Sequence, residues 1–455
     1  MTTLMHTRAV PRMPGIPVLG NAPSFRKDPV QILADGFRDH GNVVRYQIAS
    51  IPLYGISHPE LAQQVLVERN KEFLKMERLD RPPQGLGLVG GMGLVTNPDH
   101  SSWLTQRRMI QPMFHRARLA SMGQKMAEAV QSMLERWEQS TEPLEMDHEM
   151  LNVTMDIITR TMFSSDISSS AGKAAHASSV ALHFASGRIA SPIKLPLKFP
   201  LPSHLEFHQA MRTLDSIIFQ LIEERKPQVG AYGDLLDMLL EARDADTGEG
   251  MTDKQLRDEL VTIFIAGHET TAHSLAWTWH LLGQHPEVLE RMRTEVQKVA
   301  GNRIPTVADQ GQLTYTTQVF QEAMRLYPAA PIIPRRIEQD TPLGDHMLQG
   351  NSRILVCVRN IHRHPDFWEH PDRFDPDRFE PSRSRTHRLA FMPFGAGARM
   401  CIGNNLAMME AVLILASVVQ RFDVQVLTRE PLAHEFAITL RPRDGIPTRV
   451  HSRQP

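Results

Sequence analysis

The sequence is poor in cysteine, almost balanced in charge and without a long apolar segment near its start. Two cysteines in 455 residues allow at most one disulfide, which excludes a secreted, disulfide-rich scaffold and favours a cytoplasmic protein. A formal net charge of −1 excludes a general electrostatic attraction to nucleic acid. The proline-rich residues 1–25 contain no run long enough for a signal peptide or a membrane span, so we expect an extended lead-in without a membrane anchor.

What the chain does contain is enough apolar material, 41% of its residues, to build a sizeable core. Helical patterns dominate from about residue 59 to residue 240 and are interrupted by a proline-rich stretch at 191–204. Alternating patterns predict β-hairpins at 43–57 and at 436–450. Residues 85–95 contain five glycines and no charge, which predicts a mobile apolar loop.

The clearest predicted helix begins at Thr252, which can form a capping box with Gln255, and ends near Gly283 and Pro286. Its length of roughly 30 residues corresponds to about 45 Å, enough to cross a whole domain. The centre of this helix, residues 266–271, places a glycine, a carboxylate and two hydroxyls in an otherwise apolar stretch. Because a buried carboxylate is costly without a partner, this centre indicates a ligand or a reaction beside the helix.

Cys401 lies in a glycine-rich turn, residues 394–403, directly before an apolar segment that favours helix. Unpaired N–H groups and the dipole at a helix N-terminus favour a thiolate, the form of cysteine that binds metal or acts as a nucleophile. Glycines let the backbone of such a turn approach a large, flat group. Considered alone, Cys401 could be a structural buried thiol, a nucleophile or a metal ligand.

The turn fits the motif F-x-x-G-x-R-x-C-x-G through Phe394, Gly397, Arg399, Cys401 and Gly403. This motif resembles the haem-binding loop of the cytochrome P-450 family. The resemblance implies that the Cys401 thiolate is the proximal ligand of the iron of haem b. It also implies that Phe394 packs near the sulfur, that Arg399 pairs with a haem propionate, and that the loop glycines Gly395 and Gly403 contribute to the haem site.

Other motifs occur in the order that the family has. Glu322 and Arg325, followed by Leu326-Tyr327-Pro328, resemble its E-x-x-R helix, although an i,i+3 ion pair alone is far commoner on a solvated helix face. The resemblance implies a structural role for this pair, with Arg378 of a later proline-rich segment joining it. Further contacts to the haem propionates are implied for Trp103, Arg107 and Arg335, with His100 as a possible helper.

The centre of the long helix resembles the oxygen-activating stretch of the family. The alternative is a polar patch that faces another polar helix. The resemblance implies that Glu269 and Thr270 organise water and deliver protons. Gly267 would let the helix open for O₂, and Ala266 would line the same site.

The resemblance extends over nearly the whole chain and implies one haem-thiolate monooxygenase domain, residues 1–455, of a soluble bacterial type. The implied fold is mainly α-helical with a small β region, and the haem lies between the long helix and the helix after the Cys401 loop. The enzyme would insert one oxygen atom from O₂ into a hydrophobic substrate by hydroxylation or epoxidation. That substrate could be a fatty acid, terpenoid, steroid-like molecule or polyketide. Its expected contacts are Leu88, Val89, Ile263, Ala266, Ile332, Ile333, Phe436 and Ile438.

Electrons would come from NAD(P)H through separate proteins, either a ferredoxin with its reductase or a flavodoxin-type donor. The basic residues Arg108 and Arg116, near Arg107, could receive such an acidic partner. Two other functions remain open: a peroxygenase driven by H₂O₂, and a non-enzymatic haem sensor or electron carrier. The pair Glu269 and Thr270 argues against both, because family members that act as peroxygenases lack this acid–alcohol pair and a sensor or carrier has no use for a proton relay.

Two remaining features receive structural interpretations. His362, His364 and His370 could suggest zinc, but their spacing does not suit helical ligands and cysteine is missing nearby. Cys357 is expected in the core of a strand.

Overall fold

The computed structural model describes residues 8–164, 168–190, 194–383, 387–428 and 432–453. The chain divides into two compact units. Unit one comprises Met1–Arg78 and Gln321–Cys401, and unit two comprises Leu79–Phe320 and Ile402–Pro455.

Helices follow one another in long runs, and they predominate in unit two. The helices are α1 (Ala22–Lys27), α2 (Pro29–His40), α3 (Pro59–Gln63), α4 (Gly87–Gly90), α5 (His100–Ile110), α6 (Arg116–Ser121), α7 (Gly123–Glu138), α8 (Met146–Phe163), α9 (Ser168–Ala190), α10 (Pro202–Arg225), α11 (Leu235–Glu241), α12 (Asp253–Gln284), α13 (Pro286–Ala300), α14 (Thr314–Leu326), α15 (Val358–Ile361) and α16 (Asn404–Arg421). The strands are β1 (Val43–Ile48), β2 (Ile51–Ile56), β3 (Leu144–Glu145), β4 (Ile332–Ile337), β5 (Thr341–Leu343), β6 (His346–Leu348), β7 (Ser352–Cys357), β8 (Phe422–Val426), β9 (His434–Ala437), β10 (Thr439–Pro442) and β11 (Pro447–Ser452). Among the described residues, no helix combines the length and hydropathy needed to cross a membrane.

Unit one is organised around a four-stranded sheet with the order β1-β2-β7-β4. The hairpin predicted at 43–57 is confirmed as β1 and β2, which pair antiparallel, while β7 runs parallel to β2 and antiparallel to β4. Cys357 ends β7 in the core, as predicted, and burial raises the pKa of its thiol to about 12. In the lead-in, α1 already begins at Ala22, because Pro23 is compatible with the first turn of a helix. Residues 1–7 lie outside the described residues.

Unit two is built around α12, which contacts α8, α10 and β10. The predicted capping box of Thr252 and Gln255 is present. The helix ends at Gln284, between Gly283 and Pro286 as predicted. A Cβ atom at Gly283 would lie 2.6 Å from the Cβ atom of Val426, so this glycine also allows β8 to approach the helix closely.

The glycine-rich segment at 85–95, predicted as a loop, contains the helical turn α4 and lies against α12. A Cβ atom added to Gly91 would lie 2.5 Å from the carboxylate oxygens of Asp258, and one added to Gly93 would lie 2.1 Å from Oγ1 of Thr262. The backbone N–H of Met92 donates to Asp258 at 3.0 Å. The glycines therefore serve a close approach between backbone and helix.

The prediction of one hairpin at 436–450 is wrong in its pairing. The hairpin is formed by β9 and β10 and turns at Ile438, whose φ is +78°. The later strand β11 pairs with β8 and β3 in another sheet. The turn at Asp444 and Gly445 therefore connects two different sheets. Gly445 has a φ of +71°, and Pro447 starts β11.

Candidate active site

The Cys401 loop is held in place within unit one by its backbone. The N–H of Cys401 donates to the carbonyl of Phe394 at 2.9 Å, and Gly397–Arg399 forms one 3₁₀ turn. Gly397 has a φ of +72°, and a Cβ atom there would lie 1.9 Å from the carbonyl oxygen of Leu66. A residue with a side chain would clash with this carbonyl oxygen, so only glycine can occupy the position. The loop is therefore packed closely on its neighbour while the side chain of Cys401 remains exposed.

A cationic cluster of Lys75, Arg335 and Arg399 also belongs to unit one. Backbone hydrogen bonds of 2.9 Å in both directions between Leu74 and Arg336 place Lys75 beside β4. Burial lowers the pKa of Lys75 to about 8, and the nearby guanidinium groups of Arg335 and Arg399 lower it further against the opposing effect of Glu77.

Burial also lowers the pKa of Arg335, to about 10, and Glu77 opposes that shift too. The distance between Lys75 Nζ and Glu77 Oε2 is 3.6 Å. Three cations thus lie close together, an arrangement that favours an added anion. The sequence analysis missed Lys75, because only the backbone pairing of Leu74 with β4 brings it to the arginines.

Glu322, Arg325 and Arg378 are in contact. The Glu322–Arg325 pair is bidentate, with distances of 2.6 and 2.8 Å, and both side chains are fully buried. Arg378 Nε lies 3.4 Å from Oε1 of Glu322. Arg325 also donates to the carbonyl oxygens of His362, Pro371 and Arg373.

The histidines considered for zinc have other contacts. His362 is buried, its Nε2 accepts a hydrogen bond of 2.9 Å from the N–H of Met392, and burial lowers its pKa to about 3. His364 Nε2 lies 2.9 Å from Oδ1 of Asn42. His370 lies on the surface.

His100, Trp103 and Arg107 occupy one face of α5 in unit two. The ring of the buried Trp103 stacks on His100 with 5.6 Å between centroids, and the Arg107 guanidinium lies 5.7 Å from the Trp103 ring. Arg108 forms ion pairs with Asp246 at 2.8 Å and Asp244 at 3.3 Å, which the sequence analysis missed. Its role in docking a redox partner stays a prediction.

At the centre of α12, Thr270 Oγ1 donates to the carbonyl of Ala266 at 2.8 Å, so this hydroxyl has a local partner. The helix is continuous through Gly267, where an added Cβ atom would lie 2.7 Å from Cδ1 of Ile158 on α8. The close packing of α12 against α8 therefore accounts for a glycine at this position. Whether the helix opens there for O₂ stays a prediction.

Glu269 borders a cavity of about 330 Å³ that is also lined by His273, Thr439 and Arg441. Burial raises the pKa of Glu269 to about 7, which Arg441 partly opposes and Asp147 increases. A carboxyl group with such a pKa exchanges protons readily near neutral pH. The sequence analysis missed Arg441, since it is 172 positions away in sequence and no motif marks it.

The residues expected to contact substrate fall in both units. Unit two holds six of them: Leu88 and Val89 on α4, Ile263 and Ala266 on α12, Phe436 on β9 and Ile438 in the hairpin turn. Both α4 and β10 contact α12. Unit one holds Ile332 and Ile333 on β4, and the Cδ1 atom of Ile333 lies 3.6 Å from the position of a Cβ atom on Gly395. Ile333 is thus a neighbour of the Cys401 loop.

The fold, together with the cysteine loop, the buried E-x-x-R pair and the acid–alcohol pair of a long helix, defines a haem-thiolate protein. A family model described as Cytochrome P450 matches residues 11–446. The chain belongs to this family, and the predicted mainly helical fold is confirmed. Membership implies a haem cofactor with a thiolate ligand, use of O₂ as a monooxygenase, redox partner proteins and a hydrophobic substrate.

Several proteins are similar to this chain over most of their lengths. Cyclooctatin synthase of Streptomyces melanosporofaciens is 34% identical over 92% of this chain and 91% of its own. Cyclooctat-9-en-7-ol 5-monooxygenase of the same organism is 33% identical over 90% and 88%. Pentalenene oxygenase of Streptomyces avermitilis is 31% identical over 92% of each. The crystal structure of the cytochrome P450DA heme domain is also similar, with 27% sequence identity and a TM-score of 0.90. The match covers 99% of this chain and 98% of that chain.

Proposed function

We propose that this chain oxygenates a terpenoid, by hydroxylation or epoxidation, with electrons from NAD(P)H. The observation that carries the substrate class is the similarity, over about nine tenths of the chain, to three enzymes whose names refer to cyclooctatin, cyclooctat-9-en-7-ol and pentalenene. The apolar residues on α4, α12 and the β9–β10 hairpin suit such a substrate. A ferredoxin with its reductase, or a flavodoxin-type donor, would deliver the electrons. A single domain over 1–455 and a cytoplasmic location remain part of the proposal.

The residues around the Cys401 loop fit a haem b group. Cys401 is exposed and could ligate the iron, and the cluster of Lys75, Arg335 and Arg399 brings together three cations, which suits two propionates. Gly397 allows the loop to pack closely against the backbone of Leu66. When bound, the haem supplies the activation of O₂ that the reaction needs. The face of α5 that carries Trp103 and Arg107 would add further propionate contacts.

Glu269 and Thr270 would deliver the protons that the reaction consumes. Glu269, with a pKa of about 7, can release a proton and regain one from the cavity that it borders. Thr270 donates its one hydroxyl hydrogen to the Ala266 carbonyl, and its oxygen can still accept. To pass a proton on, the hydroxyl would turn from Ala266 and donate to the next acceptor while its oxygen receives a proton. Glu322, Arg325 and Arg378 would hold unit one together without taking part in chemistry.

One experiment on the haem-loaded protein tests the ligand and the reaction. The reduced carbon-monoxide complex should show the red-shifted Soret band of thiolate ligation, Cys401→His should lose it, and the matched variant Cys357→Ala should keep it. A Cys401→His spectrum identical to the wild type would overturn the assignment.

Turnover is then measured with a panel of terpenes, fatty acids and steroids. One arm contains NAD(P)H with ferredoxin and reductase, and a second contains H₂O₂ alone. Terpene oxygenation that requires the redox proteins supports the proposal. Equal activity with H₂O₂ alone would identify a peroxygenase, and no turnover in either arm would identify a sensor or an electron carrier.

A further inference from the structure

The β9–β10 hairpin is fixed to α12 by two hydrogen bonds. His273 Nδ1 lies 3.1 Å from the hydroxyl of Thr439, and the indole N–H of Trp277 donates to the carbonyl of Leu440 at 3.0 Å. Both helix residues are buried. The hairpin therefore has a defined position on the helix that carries Glu269, and His273 stands one helical turn beyond that carboxyl group.

Arg441 is the next residue of β10 and lines the same cavity as Glu269. Its Nε and Nη2 donate to Oε2 of Glu435, the residue directly opposite on β9, at 3.1 and 2.9 Å. This ion pair fixes the plane of the guanidinium group. The third nitrogen, Nη1, takes no part in it. Both side chains of the pair are more than a third exposed, so their mutual attraction is screened by water.

The titratable and charged groups that line the cavity with Glu269, or act on its charge, come from five elements. They are Asp147 on α8, His176 and His183 on α9, Glu206 on α10, His273 on α12 and Arg441 on β10. Of these, Arg441 is the one that carries a permanent positive charge. We propose that Arg441, which lines the same cavity as Glu269, acts on that carboxyl group through its charge, favours its ionised form and so keeps it in proton exchange with water in the cavity.

This inference rests on the proposed role of Glu269 in proton delivery. A cation favours the ionised carboxyl, whereas burial and the like charge of Asp147 oppose ionisation. Arg441 also disfavours a positive charge on His273. Without Arg441, Glu269 would keep its proton to higher pH and release it less readily. The hairpin would thus set the pH range in which oxygenation remains coupled to electron use.

The test compares Arg441→Gln with Arg441→Lys in the haem-loaded enzyme, and Arg443→Gln serves as the matched control. Arg443 lies on the same hairpin, is exposed, and donates to the carbonyl of His434 instead. The protonated carboxyl band of Glu269 is followed by infrared spectroscopy against pH and identified by its loss in Glu269→Gln. We expect Arg441→Gln to move this titration upward by about one pH unit, since a close opposite charge shifts a carboxyl by about 1–3 units.

The ratio of product to NAD(P)H, followed from about pH 6 to about pH 9, should shift its alkaline limb in the same direction. Arg441→Lys should restore most of both shifts, and Arg443→Gln should change neither. An unchanged titration in Arg441→Gln, or an equal shift in Arg443→Gln, would overturn the inference. Wild-type coupling in Glu269→Gln would instead refute the proton relay, while the infrared titration would still decide the role of Arg441.

Discussion

Glu410 on α16 offers a quantitative test of the electrostatics of unit two. Glu410 is 1% exposed, so its carboxyl group is shielded from water. Burial raises its pKa from 4.5 to about 8, an effect that the neighbouring Thr271 opposes only in part. Between these two values the folded protein binds a proton that the unfolded chain has lost. The free energy of unfolding therefore decreases as pH rises through this window.

The isosteric variant Glu410→Gln removes this pH dependence. One pH unit corresponds to about 1.4 kcal/mol, so at pH 7 the wild type has lost about 3 kcal/mol that the variant retains. Any cost of burying the amide is the same at every pH. The difference in stability between variant and wild type should hence be smallest near pH 5 and should grow in favour of the variant up to pH 8.

Denaturant unfolding of the haem-loaded proteins, followed by circular dichroism at several pH values from 5 to 8, measures this difference. Asp309→Asn is the control of opposite sign, because the ion pair with Arg303 lowers the pKa of Asp309 to about 2. That variant should be destabilised by about 1–2 kcal/mol at every pH in the range, since Asp309 is ionised throughout. A Glu410→Gln effect that is equally independent of pH would refute the reasoning.

Three further outcomes are expected. Glu322→Ala should lower stability by about 3–5 kcal/mol, together with haem content, by leaving buried Arg325 unpaired, whereas the exposed Glu338→Ala should cost at most about 1 kcal/mol in the same unfolding assay. Thr270→Ala should retain haem and substrate-induced spectral shifts but give less product per NAD(P)H and more H₂O₂. An unchanged ratio of product to NAD(P)H would show that another group delivers the protons. Arg116→Glu should slow reduction by a ferredoxin in stopped-flow experiments, and salt-independent reduction of the wild type would contradict charge-guided docking.

The sequence predicted best those features whose causes are local. Thr252 and Gln255 form the expected capping box because both partners lie within one turn. Glu322 and Arg325 meet for the same reason, since residues three apart share a helix face. The resemblance to a family added the order of these motifs along the chain, which no single motif supplies.

The errors and omissions have distant causes. Gly283 marks the helix end as predicted, but its close approach to Val426 on another element could not be predicted. The hairpin predicted at 436–450 is wrong, because β11 pairs with β8 and β3 instead of with its neighbour in sequence. The ion pairs of Arg108 with Asp244 and Asp246, more than a hundred residues away, were also missed. Periodicity and turn chemistry carry no information about such partners.

Charge balance separates the two kinds of buried charge in unit one. Glu322 receives two hydrogen bonds from Arg325 and one from the N–H of Asp375, so its negative charge is satisfied within the protein. Lys75 lies near the guanidinium groups of Arg335 and Arg399, and burial lowers the pKa of both Lys75 and Arg335. Three cations close together repel one another, and a bound anion would reduce that repulsion. The first group therefore suits a structural role, and the second suits a site for the carboxylates of a bound cofactor.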